Sequence, residues 1–140
     1  MKSVLVVGLG RFGRHMAAKL IEEGNEVLAV DINEERVNDA LDLVTNAQIG
    51  DTTNEHFIAS LGVGNFDLCV VAIGDNFQSS LETTALLKDY GAPFVLSRAN
   101  RDVHAKSSQK RSGQDSLPER EMAERLAVKF GTDNIFDTLN

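Results

Sequence analysis

The sequence has one cysteine, two prolines, a single tyrosine and no tryptophan in 140 residues. A lone thiol, Cys69, forbids an internal disulfide and gives no cysteine-based metal site. No apolar run approaches the ~20 residues that a membrane-spanning helix needs. The start, one Lys and then SVLVVGLG, carries no signal-peptide cleavage pattern. Positive charge is scarce too: 14 Lys and Arg against 21 Asp and Glu give a formal charge of −7. That balance argues against a nucleic-acid partner, whose backbone needs clustered cations. His15, His56 and His104 are scattered without metal-ligand spacing, and no Ser/His/Asp or Cys/His grouping is present. No catalytic residue is expected. What remains is 42% hydrophobic and 25% charged, the composition of a globular chain of one-domain length, expected to be soluble and cytoplasmic.

Short apolar runs alternate with amphipathic stretches. Ser3–Val7, Glu26–Asp31, 47–49, 68–73 and 94–97 read as strands. Four helices are predicted between them, over 12–23, 33–43, 54–61 and 78–90. The first places Phe12, Met16 and Leu20 at helical spacing and stops at Gly24. The second is expected to turn Val37, Leu41 and Val44 inward, and the fourth Leu81, Ala85 and Leu86. Strands that are apolar almost throughout are buried on both faces, the mark of a parallel sheet. Alternation with helices predicts right-handed crossovers and an α/β, doubly wound, Rossmann-like fold. The alternation fails at 107–116 (SSQKRSGQDS), which has no apolar residue. A helix resumes over 117–131 with Met122, Leu126 and Phe130 on one face, and 132–140 reads as a linker or tail. The expected domain is therefore 1–131.

The sharpest signal is GLGRFG, Gly8 to Gly13, between the first strand and the first helix, with an acid, Asp31, closing the second strand. Together these make the dinucleotide-binding fingerprint. Gly8 permits the tight turn, Gly10 lets a pyrophosphate reach the backbone, and Gly13 lets the helix pack closely on the sheet. The helix N-terminus offers N–H groups and partial positive charge to phosphates. Asp31 can accept from both ribose hydroxyls of an adenosine. Beside a 2′-phosphate its charge would cost about 4 kcal/mol at ~4 Å and an effective dielectric of ~20. With Arg36 expected to be solvated, NADP is disfavoured, and NAD, ATP, ADP and AMP stay open. Arg11 reads either as a phosphate contact or as a solvated charge at a helix start, where a cation is unfavourable. Ala72, Ile73, Gly74, Asp75 and Asn76 end the fourth strand at the crevice where such folds meet ligand. Asp75 and Asn76 read equally as caps of the next helix. Gly50, Asp51 and Thr52 close the third strand on the adenine side, and Arg98 reads as a distal phosphate contact or a surface charge. Cys69, mid-strand, reads as a small buried apolar group.

SVLVVGLGRFG, LAVDINEERV, IGDTTNE and CVVAIGDNFQSS resemble the RCK/KTN domains, nucleotide-binding regulators of potassium channels and transporters. The resemblance runs over 1–106 and again over 118–136. It implies a regulatory domain that binds NAD(H), ATP or ADP without consuming it. It also implies a homo-dimer, assembled into an octameric ring, at the inner face of the membrane against a channel or transporter subunit. The last helix would cross to the partner protomer. The cofactor-binding residues it implies are Gly8, Gly10, Arg11, Phe12, Gly13, Asp31, Ile32, Asn33, Asp51, Thr52, Ala72, Ile73, Gly74, Asp75, Asn76 and Arg98. Glu119 would lie near a bridging cation, the only metal residue expected. The polar 107–116 stretch departs from the family, which is apolar there; a chain altered at that edge is expected to be monomeric or loosened there. The regulatory C-terminal domain of many members is not in this sequence, which reads as an excised fragment. The rival readings are a fragment of an NAD-dependent oxidoreductase and a scaffold that binds no nucleotide.

Overall fold

A computed structural model describes residues 1–97. The expected polar segment 107–116, the helix over 117–131, the tail, Arg98, His104 and Glu119 lie outside the described residues. Five strands, β1 (Ser3–Val7), β2 (Glu26–Asp31), β3 (Asn46–Ile49), β4 (Leu68–Val71) and β5 (Val95–Ser97), form one sheet in the order β3-β2-β1-β4-β5. Every pairing is parallel, with Leu5 between Leu28 and Cys69 at the centre. Four helices connect them: α1 (Arg11–Glu22), α2 (Glu34–Ala40), α3 (Glu55–Leu61) and α4 (Phe77–Asp89).

The alternation of side chains along each strand divides the core between two faces. Val4, Val6, Val27, Leu68 and Val70 pack with Phe12, Met16 and Leu20 of α1. Leu5, Val7, Val30, Cys69 and Val71 pack with Ile58 of α3 and Leu87 of α4. Val37 and Ala40 of α2 close over Leu9 and Ala29. β1 and β4 are thus covered on both sides, as their unbroken Val and Leu content requires. Each large aliphatic side chain buried this way contributes about 1.5–3 kcal/mol. β3 is an edge strand, and its polar Asn46 and Gln48 are exposed.

The doubly wound parallel sheet is as expected, with element ends shifted by a residue or two, and two helices differ from the reading. α2 stops at Ala40 rather than running to residue 43. Leu41 N and Leu43 N donate to Asn38 O and Ala40 O, three residues back, so the chain tightens into turns before β3. Leu41 is consequently exposed, and Ala40 takes the inward place. In α4 the inward residues are Ser80, Thr83, Thr84 and Leu87, while Leu81 and Ala85 are exposed and Leu86 is half-buried. The hydroxyls tolerate that burial because they are largely paired. Thr83 Oγ1 and Thr52 Oγ1 lie 2.8 Å apart, and Thr84 Oγ1 donates to Ser80 O at 2.8 Å.

Candidate functional site

In this strand order the connections leaving β1 and β4 diverge to opposite faces of the sheet. A crevice opens at the carboxyl ends of the strands, where they part. A cavity of about 500 Å³ occupies it. Its walls come from the β1–α1 loop and the start of α1 (Gly8, Gly10, Arg11, Phe12), the end of β2 and the first turn of α2 (Asp31, Ile32, Asn33, Arg36), the residues after β3 (Gly50 to Thr53), and those after β4 with the first turn of α4 (Ala72 to Asn76, Ser79). The polar groups it presents are carboxylates, guanidinium groups, amides and hydroxyls.

The glycine loop is shaped by contacts that admit no side chain. Gly8 has φ +100°, and a Cβ there would stand 2.8 Å from the Ala72 carbonyl carbon. A Cβ on Gly13 would collide with Gly8 O, so α1 starts directly against the end of β1. Gly10 is different. Its φ of −72° suits any residue, and a Cβ there would meet nothing nearer than Arg36 Nη1 at 3.9 Å. The space beside Gly10 belongs to the cavity. Gly10 also caps α1 without a side-chain bond, and the first turn of α1 holds no acid. The other three helices are capped by Asn33, Asn54 and Asn76, each accepting from an amide in its own first turn. The first amides of a helix have no intrahelical acceptor. At α1 that polar end faces the cavity, so the donor set and the open side of Gly10 fit the phosphates of a nucleotide.

Asp31 is 7% exposed. Its Oδ2 accepts from Leu9 N at 2.7 Å and its Oδ1 from Asn33 N at 2.8 Å. The carboxylate therefore ties the glycine loop to the end of β2 while lining the cavity. Arg36, expected to be solvated, is half exposed but lies against this group, with Nη1 3.8 Å from Asp31 Oδ2. Ile32 stands out into solvent at the rim, 68% exposed.

On the far side, Asp51 Oδ1 accepts from Thr53 N and Thr53 Oγ1 at 2.9 and 2.6 Å, closing the turn after β3. Thr52 turns its hydroxyl inward to Thr83 while still lining the cavity. Gly50 is held against Phe57, whose ring a Cβ would strike. Asn76 resolves the two readings of its loop: it caps α4, its Oδ1 accepting from Ser79 N at 3.0 Å, and also lines the wall. Asp75 is exposed at the rim.

Of the sequence-predicted residues, those from Gly8 to Asn76 converge on this cavity, except Gly13, which is buried against Gly8. Arg98 and Glu119 lie outside the described residues. Arg36, Thr53 and Ser79 line the cavity without having been singled out as site residues. All three sit within one helical turn or two residues of a position that was, and that adjacency is the only signal the sequence offers for them. Cys69 is buried in β4, where desolvation pushes its thiol up to about 12. His56 is exposed. Tyr90 donates to Glu55 Oε1 at 2.6 Å at the end of α4, away from the cavity, and that bond raises its pKa. Among the described residues no cluster of metal-ligating side chains is present, and no helix is long and apolar enough to cross a membrane.

Comparison with known proteins places this cavity in context. The Archaeoglobus fulgidus structure described as the NAD(P)-binding domain of an exopolyphosphatase-related protein superposes with a TM-score of 0.58. It is 20% identical and covers 79% of this chain and 98% of its own. At that identity the likeness shows the fold alone. Ktr system potassium uptake protein C of Bacillus subtilis is 43% identical over 99% of this chain, and Ktr system potassium uptake protein A of the same organism is 40% identical over 99%. The chain spans 63% of the length of each of these curated relatives. The TrkA-N domain family matches residues 4–117. With a match that runs from β1 through the glycine loop, Asp31 and the whole described sheet, the chain belongs to the TrkA-N family and is an RCK/KTN domain.

Proposed function

We propose that this chain is a regulatory, non-enzymatic nucleotide-binding module of a potassium uptake system. In this reading 1–131 forms its Rossmann-type domain, and NAD(H) or ATP/ADP is held in the cavity without being consumed. The carrying observation is the open side of Gly10. Backbone amides of an otherwise uncapped helix and a guanidinium, Arg36, border that space, which no side chain fills, in a cavity that Asp31 and Arg11 also line. Gly8, Gly10 and the start of α1 would hold the phosphates, and Asp31 the adenosine ribose. Arg11 would reach a terminal phosphate, with Arg98 as a second contact. Asp51 and Thr52 would flank the adenine, and Gly74 to Asn76 the distal part.

The likeness to two Ktr potassium uptake proteins supports the regulatory role. The partner would be a membrane channel or transporter subunit, met on the cytoplasmic side by a homo-dimer or a ring of such domains, with Glu119 near a bridging cation. Regulation then needs only that a nucleotide bind one geometry of the assembly more tightly than another, since a ligand shifts an equilibrium by its differential affinity.

The test is thermal unfolding of the purified chain with NADH, NADPH, ATP, ADP or AMP at equal concentration. A ligand at 100 times its Kd stabilises by about 2.7 kcal/mol. Stabilisation by adenine nucleotides with no turnover of NADH or ATP is the expected result. No stabilisation by any of them overturns the reading, and NADH oxidation would favour the oxidoreductase instead.

A further inference from the structure

The carboxylate of Asp31 is engaged at both oxygens by backbone amides, Leu9 N and Asn33 N. Arg36 Nη1 stands 3.8 Å from Oδ2, near enough for Coulomb attraction and too far for a hydrogen bond. The guanidinium therefore offsets the charge of Asp31 without spending its donors on it. The same nitrogen is 3.9 Å from the place a Gly10 Cβ would take. Arg36 thus leans from the first turn of α2 over the glycine loop, lining the cavity on the side where Asp31 faces it. It is 45% exposed, so its fork of donors stays available to something entering from solvent.

We propose that Arg36 is a specificity-determining residue, setting how the cavity treats an adenine nucleotide phosphorylated at the ribose 2′ oxygen. The inference rests on the reading that the cavity binds adenine nucleotides, and it changes the discrimination that the sequence suggested. Asp31 alone would repel a 2′-phosphate. Asp31 with a cation at 3.8 Å repels it much less, and a guanidinium can grip the phosphate bidentately, the strongest form of charge-assisted hydrogen bond. The cavity then accepts NADPH on terms comparable to NADH. A different role, the guanidinium lying flat on the adenine ring, would serve both nucleotides equally.

Binding of NADH and of NADPH to the full 140-residue chain, measured by nucleotide fluorescence or calorimetry, separates these. Arg36→Ala is expected to weaken NADPH at least about tenfold more than NADH, the scale of one lost hydrogen bond to a charged group. Arg36→Lys, which keeps the charge and loses the fork, is expected to recover part of that ratio. A ratio moved by less than about tenfold in Arg36→Ala overturns the proposal, as does a wild-type chain that binds NADH and rejects NADPH by more than about 100-fold. A general loss of folding would lower both affinities together and leave the ratio in place, so the ratio is the readout. If the wild type binds neither NADH nor ATP, the nucleotide reading of the cavity falls and this proposal with it. If NADH binds and the ratio does not move, this proposal alone falls.

Discussion

Gly10 and Gly13 stand three residues apart in one motif and answer to different physics. Gly13 is structural: a methyl group there would drive into Gly8 O, and neither the strand end nor the helix start can give way without the other. Gly13→Ala is expected to cost about 1–3 kcal/mol, the usual range for overpacking, read as a lower urea midpoint. Gly10 is open on the cavity side, with Arg36 Nη1 its nearest neighbour at 3.9 Å. Gly10→Ala should cost less than about 1 kcal/mol, the loss of a favourable capping residue. It should lower nucleotide affinity at least tenfold, by about 1.4 kcal/mol or more, because the new methyl stands where a phosphate would approach. Equal stability losses in the two variants would refute this division. Both glycines are equally visible in GLGRFG; which one faces a ligand depends on how α1 leaves β1, and the string does not contain that.

At the scale of elements, α4 shows where reading by hydrophobic spacing reaches its limit. Leu81, Ala85 and Leu86 suggest an apolar face, yet the buried face is Ser80, Thr83, Thr84 and Leu87. Asn76 sets the helix start and the short β4–α4 loop sets its rotation, so the hydroxyls are carried inward and find partners there. A residue count cannot see a partner such as Thr52, 31 positions away. Where one apolar stripe was unambiguous, as in Phe12, Met16 and Leu20 of α1, the reading and the fold agree. Two substitutions test the polar face. Thr83→Val leaves the buried Thr52 hydroxyl without its partner and should cost about 1–3 kcal/mol. Ser80 Oγ is buried with no hydrogen-bond partner among the described residues. Ser80→Ala should therefore be neutral or stabilising by up to about 1 kcal/mol, since an unsatisfied hydroxyl contributes only its desolvation cost. Denaturant titration of both variants checks this, and a Ser80→Ala loss as large as that of Thr83→Val would show that the Ser80 hydroxyl is engaged after all.

At the scale of the whole molecule, the described residues form a sheet whose middle strands are plain in the sequence and whose edges are not. SVLVV, EVLAVD and LCVVA announce strands covered on both faces, and from those and the glycine loop the parallel fold and the position of the crevice follow. β3, with Asn46 and Gln48, owes its place to pairing with β2 rather than to its own composition. The ion pair of Arg36 with Asp31 likewise depends on the rotation of α2, which no spacing rule supplies. The deepest consequence of central burial concerns Cys69, fully buried in β4 beside β1. Burial raises its thiol from 9.0 to about 12. A pKa raised by folding means that the native state keeps a proton the unfolded chain releases. The stabilisation from keeping the thiol neutral is complete below pH 9 and is lost as pH rises toward 12. Over that window the unfolding free energy should fall by up to about 1.4 kcal/mol per pH unit on account of this one group. Tyr90, raised by its bond to Glu55, acts with the same sign. The readout is therefore the difference in slope between the wild type and Cys69→Ala, measured by urea unfolding from pH 8 upward. The variant should be less stable at neutral pH, because a packed side chain is gone, and should lose stability more slowly above pH 9. Parallel slopes would mean that the thiol reaches solvent in the native state, and with it the centre of the sheet.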